Sequence, residues 1–140
     1  MKIFFAGSIR GGRQLIPMYE YIINFLKSHN YIIISEHVAS QALEKVEAKM
    51  SEEGIFQKDI DWIQESDCVI AEVTVPSIGV GYEICHAVHH KKPVLCIYQE
   101  GARASAMVLG NENVTARSYS NKKELEKILL DFLNPEKKIV

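Results

Sequence analysis

Apolar and polar positions along this chain follow two alternating periodicities. Short β-branched or aromatic runs predict strands at residues 1–6, 31–35, 68–73, 94–98 and 114–119. Between these runs apolar residues recur every three or four positions, which predicts helices within residues 15–29, 40–50, 55–63, 80–90 and 122–133. A glycine, Gly54, interrupts the pattern between the second and third of these helices.

The regular alternation of strands and helices predicts the fold class. It is typical of a parallel sheet whose right-handed crossovers place helices on both faces. The run at 68–73 is almost wholly apolar, as expected of a central strand, whereas the half-polar run at 114–119 predicts an edge strand. We therefore expect an α/β protein with a doubly wound five-stranded parallel sheet, in a single domain spanning residues 1–140.

Composition and charge narrow the class of protein. The chain has 140 residues, of which 47% are hydrophobic and 24% charged, as in ordinary globular domains. Its 16 basic and 18 acidic residues give a net charge of -2, so we expect no nucleic-acid partner. The sequence shows neither an apolar stretch of membrane-spanning length nor a signal-peptide pattern, and its three cysteines form no C-x-x-C pair. We expect a cytoplasmic protein with no membrane partner.

The segment after the central strand is the first candidate site. Residues 76–83 read Pro-Ser-Ile-Gly-Val-Gly-Tyr-Glu, a loop poor in side chains that leads into a helix. Open α/β sheets bind ligands at the carboxyl ends of their strands, and the amides of a helix N-terminus suit a phosphate. Glu83 is expected in the first helical turn. A carboxylate there has two explanations, chemistry on a ligand or a favourable interaction with the helix dipole.

A second loop, from Gly7 to Gly12, follows the first strand and opens the first helix. Its amides suit a phosphate, and Glu36 at the end of the second strand suits a ribose contact. The loop matches neither the Walker A pattern nor the G-x-G-x-x-G fingerprint. A tight strand-to-helix turn explains it about equally well.

Further acidic and histidine residues lie close to the central strand. Asp59, Asp61 and Asp67 lie on or beside the helix that precedes it, and two carboxylates in one pocket are the arrangement used to cleave glycosidic bonds. Asp59 can point along the edge of the buried helix face, although a solvated surface position is the simpler explanation for any one of these aspartates. In the segment 85–90, Cys/His and His/His pairs are spaced by four residues, but two donors seldom make a metal site, so none is predicted.

Six segments, taken in order, resemble one protein family. They are residues 5–12, 36–39, 59–63, 71–74, 76–83 and 105–107. They are similar to the 2'-deoxynucleoside 5'-phosphate N-hydrolases of the nucleoside 2-deoxyribosyltransferase superfamily, over about Lys2 to Tyr119. The resemblance implies a flavodoxin-like homodimer without cofactor or metal. It also implies a small-molecule nucleotide substrate, a nucleoside monophosphate whose N-glycosidic bond is cleaved by double displacement.

The resemblance also implies roles for single residues. Glu83 would be the nucleophile that forms a glycosyl-enzyme ester, and Asp59 would be the second catalytic acid. Ser105, with Met107 in the same segment, would reach the phosphate site of the neighbouring subunit. The other substrate-binding positions would be Phe4, Gly7, Ser8, Ile9, Arg10, Gly11, His37, Ser77 and Gly79, with Ile9 and His37 near the base.

One position departs from the family pattern. Hydrolases with a strict deoxyribose preference usually carry a tyrosine on the first strand, where this chain has Phe4. The choice between deoxyribose and ribose is therefore open. Two other functions also stay open: base exchange by a transferase, to which the charged tail at 136–140 is unsuited, and nucleotide binding without catalysis.

Overall fold

A parallel sheet organises the fold. The computed structural model describes residues 1–9, 14–40 and 43–137, without the side chains of residues 37, 43, 44 and 137. The strands in these residues are β1 (Lys2–Ala6), β2 (Ile32–Ile33), β3 (Cys68–Glu72), β4 (Val94–Gln99) and β5 (Thr115–Tyr119). The α-helices are α1 (Ile16–Ser28), α2 (Leu43–Glu47), α3 (Glu52–Glu65), α4 (Ile78–His89), α5 (Ala106–Leu109) and α6 (Lys122–Leu133). Short 3₁₀ turns follow β2 at Glu36–Ala39 and α6 at Pro135–Lys137.

The strand order is β2-β1-β3-β4-β5, and every neighbouring pair is parallel. This is the flavodoxin-like order, so the predicted fold class is confirmed. β3 is central and buried at all of its positions, whereas β5 lies at an edge with its half-polar pattern, as predicted. The chain leaves β1 towards β2 on one side and leaves β3 towards β4 on the other. The carboxyl ends of β1 and β3 therefore border the crevice in which such sheets bind ligands.

Two apolar layers cover the sheet. Successive strand residues point to opposite faces, so Phe5 packs under α1 and α6 while Phe4 packs under α3, α4 and α5. Both phenylalanines are essentially fully buried. Each such side chain contributes roughly 1.5–3 kcal/mol on removal from water. None of the helices in the described part of the chain combines the length and the apolarity that crossing a bilayer requires.

The second strand is shorter than the predicted 31–35. The amide of Ile34 still donates to the carbonyl of Ile3 at 2.9 Å, but the next residue, Ser35, pairs through its side chain. Its hydroxyl accepts from the amide of Phe5 at 2.7 Å and donates to the Phe5 carbonyl at 2.6 Å. A side chain thus replaces the backbone ladder, and the chain turns away into the 3₁₀ turn.

Two helices begin earlier than predicted, because serines cap them. Gly54 does not interrupt the pattern; it lies inside the first turn of α3, where its amide donates to the Ser51 hydroxyl at 3.0 Å. Likewise the hydroxyl of Ser77 accepts from the amide of Val80 at 3.2 Å, and α4 begins at Ile78. Glu83 therefore lies in the second turn of α4 and not in the first.

Gly7, directly after β1, lies against the buried ring of Tyr19 from α1. The Tyr19 hydroxyl accepts a hydrogen bond from the amide of Ser8 at 2.9 Å, which holds the ring across the chain. A Cβ atom at position 7 would lie only 2.7 Å from the ring atom Cζ of Tyr19. This close approach requires glycine, independently of any ligand.

We expect Gly7→Ala to lower the free energy of unfolding by about 1–3 kcal/mol, because the buried ring has no room to move aside. Urea unfolding followed by circular dichroism measures this change. Gly81→Ala is the matched control, since a Cβ there meets nothing within 4 Å inside α4. That variant should be stabilised by roughly 0.5–1 kcal/mol. Equal effects of the two substitutions would contradict the packing argument.

Candidate active site

An open cavity of about 720 Å³ lies at the carboxyl ends of β1 and β3. Its volume is in the range of pockets that hold small ligands. The loops after these strands, together with α2, α3 and the start of α4, form its wall. The described acidic residues on this wall are Glu47, Glu52, Asp59 and Glu83.

Asp59 and Glu83, referred to below as the carboxyl pair, are hydrogen-bonded to one another across two helices. α3 buries Ile63 against the sheet, and α4 buries Val80 and Ile84 in the same apolar layer. The two acids lie at the edge of these buried faces and are themselves half-buried. Packing of α3 against α4 therefore brings the two predicted catalytic carboxylates into contact.

Burial is the main reason that the pKa of Glu83 lies well above its ordinary value, and the negative charge of Asp59 raises it further. Burial also raises the pKa of Asp59, while the charge of Lys58 lowers it. Their mutual hydrogen bond raises the pKa of Glu83 and lowers that of Asp59. Of the two acids, Glu83 is therefore the one that keeps its proton to the higher pH.

The position of Glu83 in the helix decides between the two explanations considered for it. Interactions with the helix dipole fall off within the first turn, and Glu83 lies in the second. Its carboxyl group also contacts another acid, which a residue selected only for the dipole would avoid. The dipole explanation therefore does not account for this residue.

The start of α4 offers hydrogen-bond donors to an anion. Ser77 and Gly79 both line the cavity, together with Gly7 and Ile9 from the loop after β1. The amides of the first helical residues have no partner within the helix, and the Ser77 hydroxyl retains its proton for donation while it caps Val80. This end of the cavity suits a phosphate group.

Other predicted site residues lie off the cavity wall. Ser8 is buried, with its amide bonded to Tyr19, and Phe4 is buried in the core beneath α3 and α4. Glu36, suggested for a ribose contact, forms a surface ion pair with Lys27 at 2.8 Å. Three predictions lie outside what the structure describes: Arg10, Gly11 and the side chain of His37.

Ser105 and Met107 lie apart from the cavity of their own chain. Ser105 caps α5 by accepting a hydrogen bond from the Met107 amide at 3.1 Å. Both side chains are exposed, and 83% of the Met107 surface is open to solvent. Neither residue is on the wall of the cavity.

Sequence reasoning missed two acids of the wall, Glu47 and Glu52. The helical pattern of α2 predicted an apolar face that includes Val46, with charges elsewhere. The structure reverses this, because Val46 is 57% exposed and Glu47 only 6%. Glu47 forms an ion pair with Lys58, and no local pattern in the sequence indicates a partner on the next helix.

Glu72, at the end of β3, is also a buried acid, but its environment differs from that of the carboxyl pair. It accepts hydrogen bonds from the Tyr119 hydroxyl and from the Thr74 amide, the latter at 2.6 Å. Thr74 in turn accepts from the amide of Gln99 at 2.9 Å. Burial raises the pKa of Glu72, and the two donors partly offset this effect. The network ties the ends of β3, β4 and β5 together just before the loop that leads to Glu83.

Among the described residues, no group of three or more His, Cys, Asp or Glu side chains is arranged to hold a metal ion. His86 on α4 and His90 at its C-terminal cap, which are four residues apart, have ring centres 4.1 Å apart with the rings tilted to one another. The His90 ring also makes a hydrogen bond to the His86 carbonyl at 2.9 Å. These histidines therefore contact each other and their own helix.

The fold and the site define a flavodoxin-like α/β protein with paired carboxylates in its ligand crevice. Residues 3–125 match the family model described as nucleoside 2-deoxyribosyltransferase. The chain belongs to this family.

Relatives agree with this assignment, and a solved structure agrees with the fold. The chain is 49% identical over 134 residues to a protein of Methanosarcina barkeri named "Putative 2'-deoxynucleoside 5'-phosphate N-hydrolase 1", covering 94% of this chain and 84% of the relative. It is 40% identical over 144 residues to the 5-hydroxymethyl-dUMP N-hydrolase of Tetraodon nigroviridis, covering 98% and 100%. The structure of a Clostridium botulinum CMP N-glycosidase superposes with a TM-score of 0.68 at 24% identity, covering 92% of this chain and 97% of that one, and so shares the fold.

The raised pKa of Glu83 predicts a pH-dependent cost in stability. Unfolded, this group titrates near 4.5, and folded it titrates well above that value. The folded chain therefore loses stability as pH rises through the folded pKa. We expect Glu83→Gln to raise the melting temperature at pH 7–8 by about 3 °C or more, with a smaller gain at pH 4.

Thermal unfolding at the two pH values measures this difference. Asp61→Asn is the control, because Asp61 is an exposed acid on the same helix as Asp59 that bonds to Gln57. It should change the melting temperature little at either pH. A Glu83→Gln protein that melts below the wild type at pH 8 would contradict the electrostatic argument.

Proposed function

We propose that this protein hydrolyses the N-glycosidic bond of (2'-deoxy)nucleoside 5'-monophosphates and releases a free base and (deoxy)ribose 5-phosphate. The observation that carries the proposal is the contact between Asp59 and Glu83 at the wall of a ligand-sized cavity. The named activities of relatives that cover most of the chain support the same reaction.

In the first step Glu83 attacks the anomeric carbon of the sugar. The proton on Glu83 passes to Asp59 through their hydrogen bond, which leaves an ionised nucleophile beside a carboxylic acid. The bond from the anomeric carbon to the base breaks as the ester bond to Glu83 forms, and Asp59 donates its proton to the departing base. The carboxylate stabilises the positive charge that develops on the sugar in the transition state.

In the second step water hydrolyses the ester. Asp59, now ionised, accepts a proton from the water while the hydroxide oxygen bonds to the anomeric carbon. The ester bond breaks, and Glu83 is regenerated as a carboxylate. One proton remains on the pair, so the protein returns to its initial state.

The phosphate and the base would contact different residues of the cavity wall. The first amides of α4 and the Ser77 hydroxyl would bind the phosphate, since the Ser8 amide is already bonded to Tyr19. Ile9, Ile55 and Phe56 offer apolar surface on which a base can pack. Binding the phosphate away from the reacting bond would hold the sugar over Glu83.

We expect released base from monophosphates, and little from the corresponding nucleosides, when the protein is incubated with a panel of both and analysed by chromatography. The ratio of ribo- to deoxyribo-substrates reports what Phe4 does in place of a tyrosine. Glu83→Gln should lower kcat by at least about 1,000-fold while substrate binding persists. Base exchange between nucleosides, with no requirement for phosphate, would instead indicate a transferase.

We also infer a homodimer in which Ser105 and Met107 complete the site of the neighbouring subunit. In one chain they lie off the cavity wall, although the resemblance assigns them to substrate binding. Exposed apolar side chains on α4 and α5 support a subunit interface, with Ile78 96% and Tyr82 54% exposed. We further infer a cytoplasmic location, which the unpaired state of all three cysteines supports.

Mixing two defective variants tests the shared site. Ser105→Ala should raise KM for the monophosphate, and Glu83→Gln should be inactive. In a mixed dimer, the site with an intact Glu83 receives an intact Ser105 from the other subunit. When subunit exchange in an equal mixture has reached equilibrium, about a quarter of all sites should combine an intact Glu83 with an intact Ser105. No recovery, with exchange verified by mass spectrometry, would place Ser105 in its own subunit's site.

A further inference from the structure

A partly buried ion pair lies beside the carboxyl pair. Lys58 Nζ is 3.4 Å from Glu47 Oε2, and the two side chains are only 21% and 6% exposed. The other ion pairs in the described part of the chain have both partners at least 31% exposed. Exposed pairs contribute little to stability, and buried ones often contribute nothing net. The location of this pair therefore calls for a role other than stability.

The ammonium group of Lys58 is held from two sides. Glu47 at the end of α2 provides the carboxylate, and the Trp62 ring, one turn further along α3, lies 5.1 Å from Nζ. Lys58 directly precedes Asp59 on the same helix, and Glu47 lines the cavity with the carboxyl pair. A fixed positive charge thus lies close to two acids that would otherwise repel each other.

The described wall of the cavity carries four acids and no lysine or arginine. Besides Glu47 itself, the titratable groups that the described cavity wall presents beside the ion pair are Asp59 and Glu52 on α3 and Glu83 on α4. The charge of Lys58 lowers the pKa of Asp59 and of Glu83, whereas the charge of Glu47 raises both. The two members of the ion pair thus act on the carboxyl pair in opposite directions.

We propose that Glu47 and Lys58 are positioning residues that balance the charge around Asp59 and Glu83 and so set the lower pH limit of the reaction. The part of this inference that concerns the pH limit of the reaction rests on the proposed function. Glu83 can ionise only while the pair holds a single proton, so activity falls when pH drops below the value at which the pair takes up a second proton. The ion pair determines where this fall occurs, and substrate need not touch either residue.

The pH profile of kcat/KM tests the proposal, because substitutions of the two residues should move its acidic limb in opposite directions. Lys58→Met keeps an apolar chain beside Trp62 but removes the positive charge, so the acidic limb should move up by about 1 pH unit. Glu47→Gln removes the negative charge, so the limb should move down by a similar amount. The double variant removes both charges, whose effects on the carboxyl pair are opposite, so the acidic limb of its profile should lie close to that of the wild type. Lys58→Arg should preserve the wild-type profile.

Lys127→Met is the matched control, because Lys127 forms an exposed ion pair with Asp131 on α6. Its profile should equal that of the wild type. If Lys58→Met and Glu47→Gln both lower activity and melting temperature with the acidic limb unmoved, the ion pair is structural and the proposal is wrong.

A titration without substrate separates this inference from the proposed reaction. Carboxyl ¹³C chemical shifts in protein labelled at glutamate report the ionisation of Glu83. The Glu83 signal is assigned as the one that is absent from the spectrum of Glu83→Gln. The midpoint should rise in Lys58→Met and fall in Glu47→Gln, whether or not any nucleotide is hydrolysed. Midpoints that move together, or not at all, would overturn the inference even in an active enzyme. Opposite shifts in a protein that hydrolyses no monophosphate would uphold it while refuting the proposed function.

Discussion

The contact between Asp59 and Glu83 is the constraint on which the site depends. Two ionised carboxylates in contact repel each other, and on a flexible surface their side chains would separate. Here both helices are anchored in one apolar layer over β1 and β3, so separation would require opening the core. Rigid packing converts the repulsion into shared protonation, which is the property that a nucleophile and its proton partner require.

Glu72 and Glu83 show how the environment of an acid decides what it does. Glu72 has hydrogen-bond donors on both oxygens, from Tyr119 and Thr74, and serves to hold strand ends together. Glu83 faces another acid and an open cavity, and its charge is only partly compensated. The first is satisfied within the protein, and we propose that the second acts on a substrate.

Sequence reasoning recovered the architecture because it depends on local patterns: strand runs, helical periodicity and their alternation predict the sheet. Glu83 was singled out because it follows a central strand and a loop poor in side chains, whereas Asp59 was given its catalytic role only by the family resemblance. What sequence missed depends on contacts between segments. Glu47 is buried by a lysine on another helix, and β2 ends because the side chain of Ser35 replaces a backbone partner. Ser51 and Ser77 cap their helices through local hydrogen bonds that a sequence pattern can indicate, but the nearby glycines were interpreted as breaks in the helical pattern.

The seam between α3 and α4 links the hydrophobic core to the chemistry. Ile63, Val80 and Ile84 set how closely the two helices approach, and they thereby set the separation of the carboxyl groups at the rim. A methyl group gained or lost in this layer displaces neighbouring backbone, because interiors are close-packed. Substitutions usually regarded as neutral drift within a core would therefore alter reactivity here before they alter folding. For the proposed reaction, this half of the core would be under selection for rate as well as for stability.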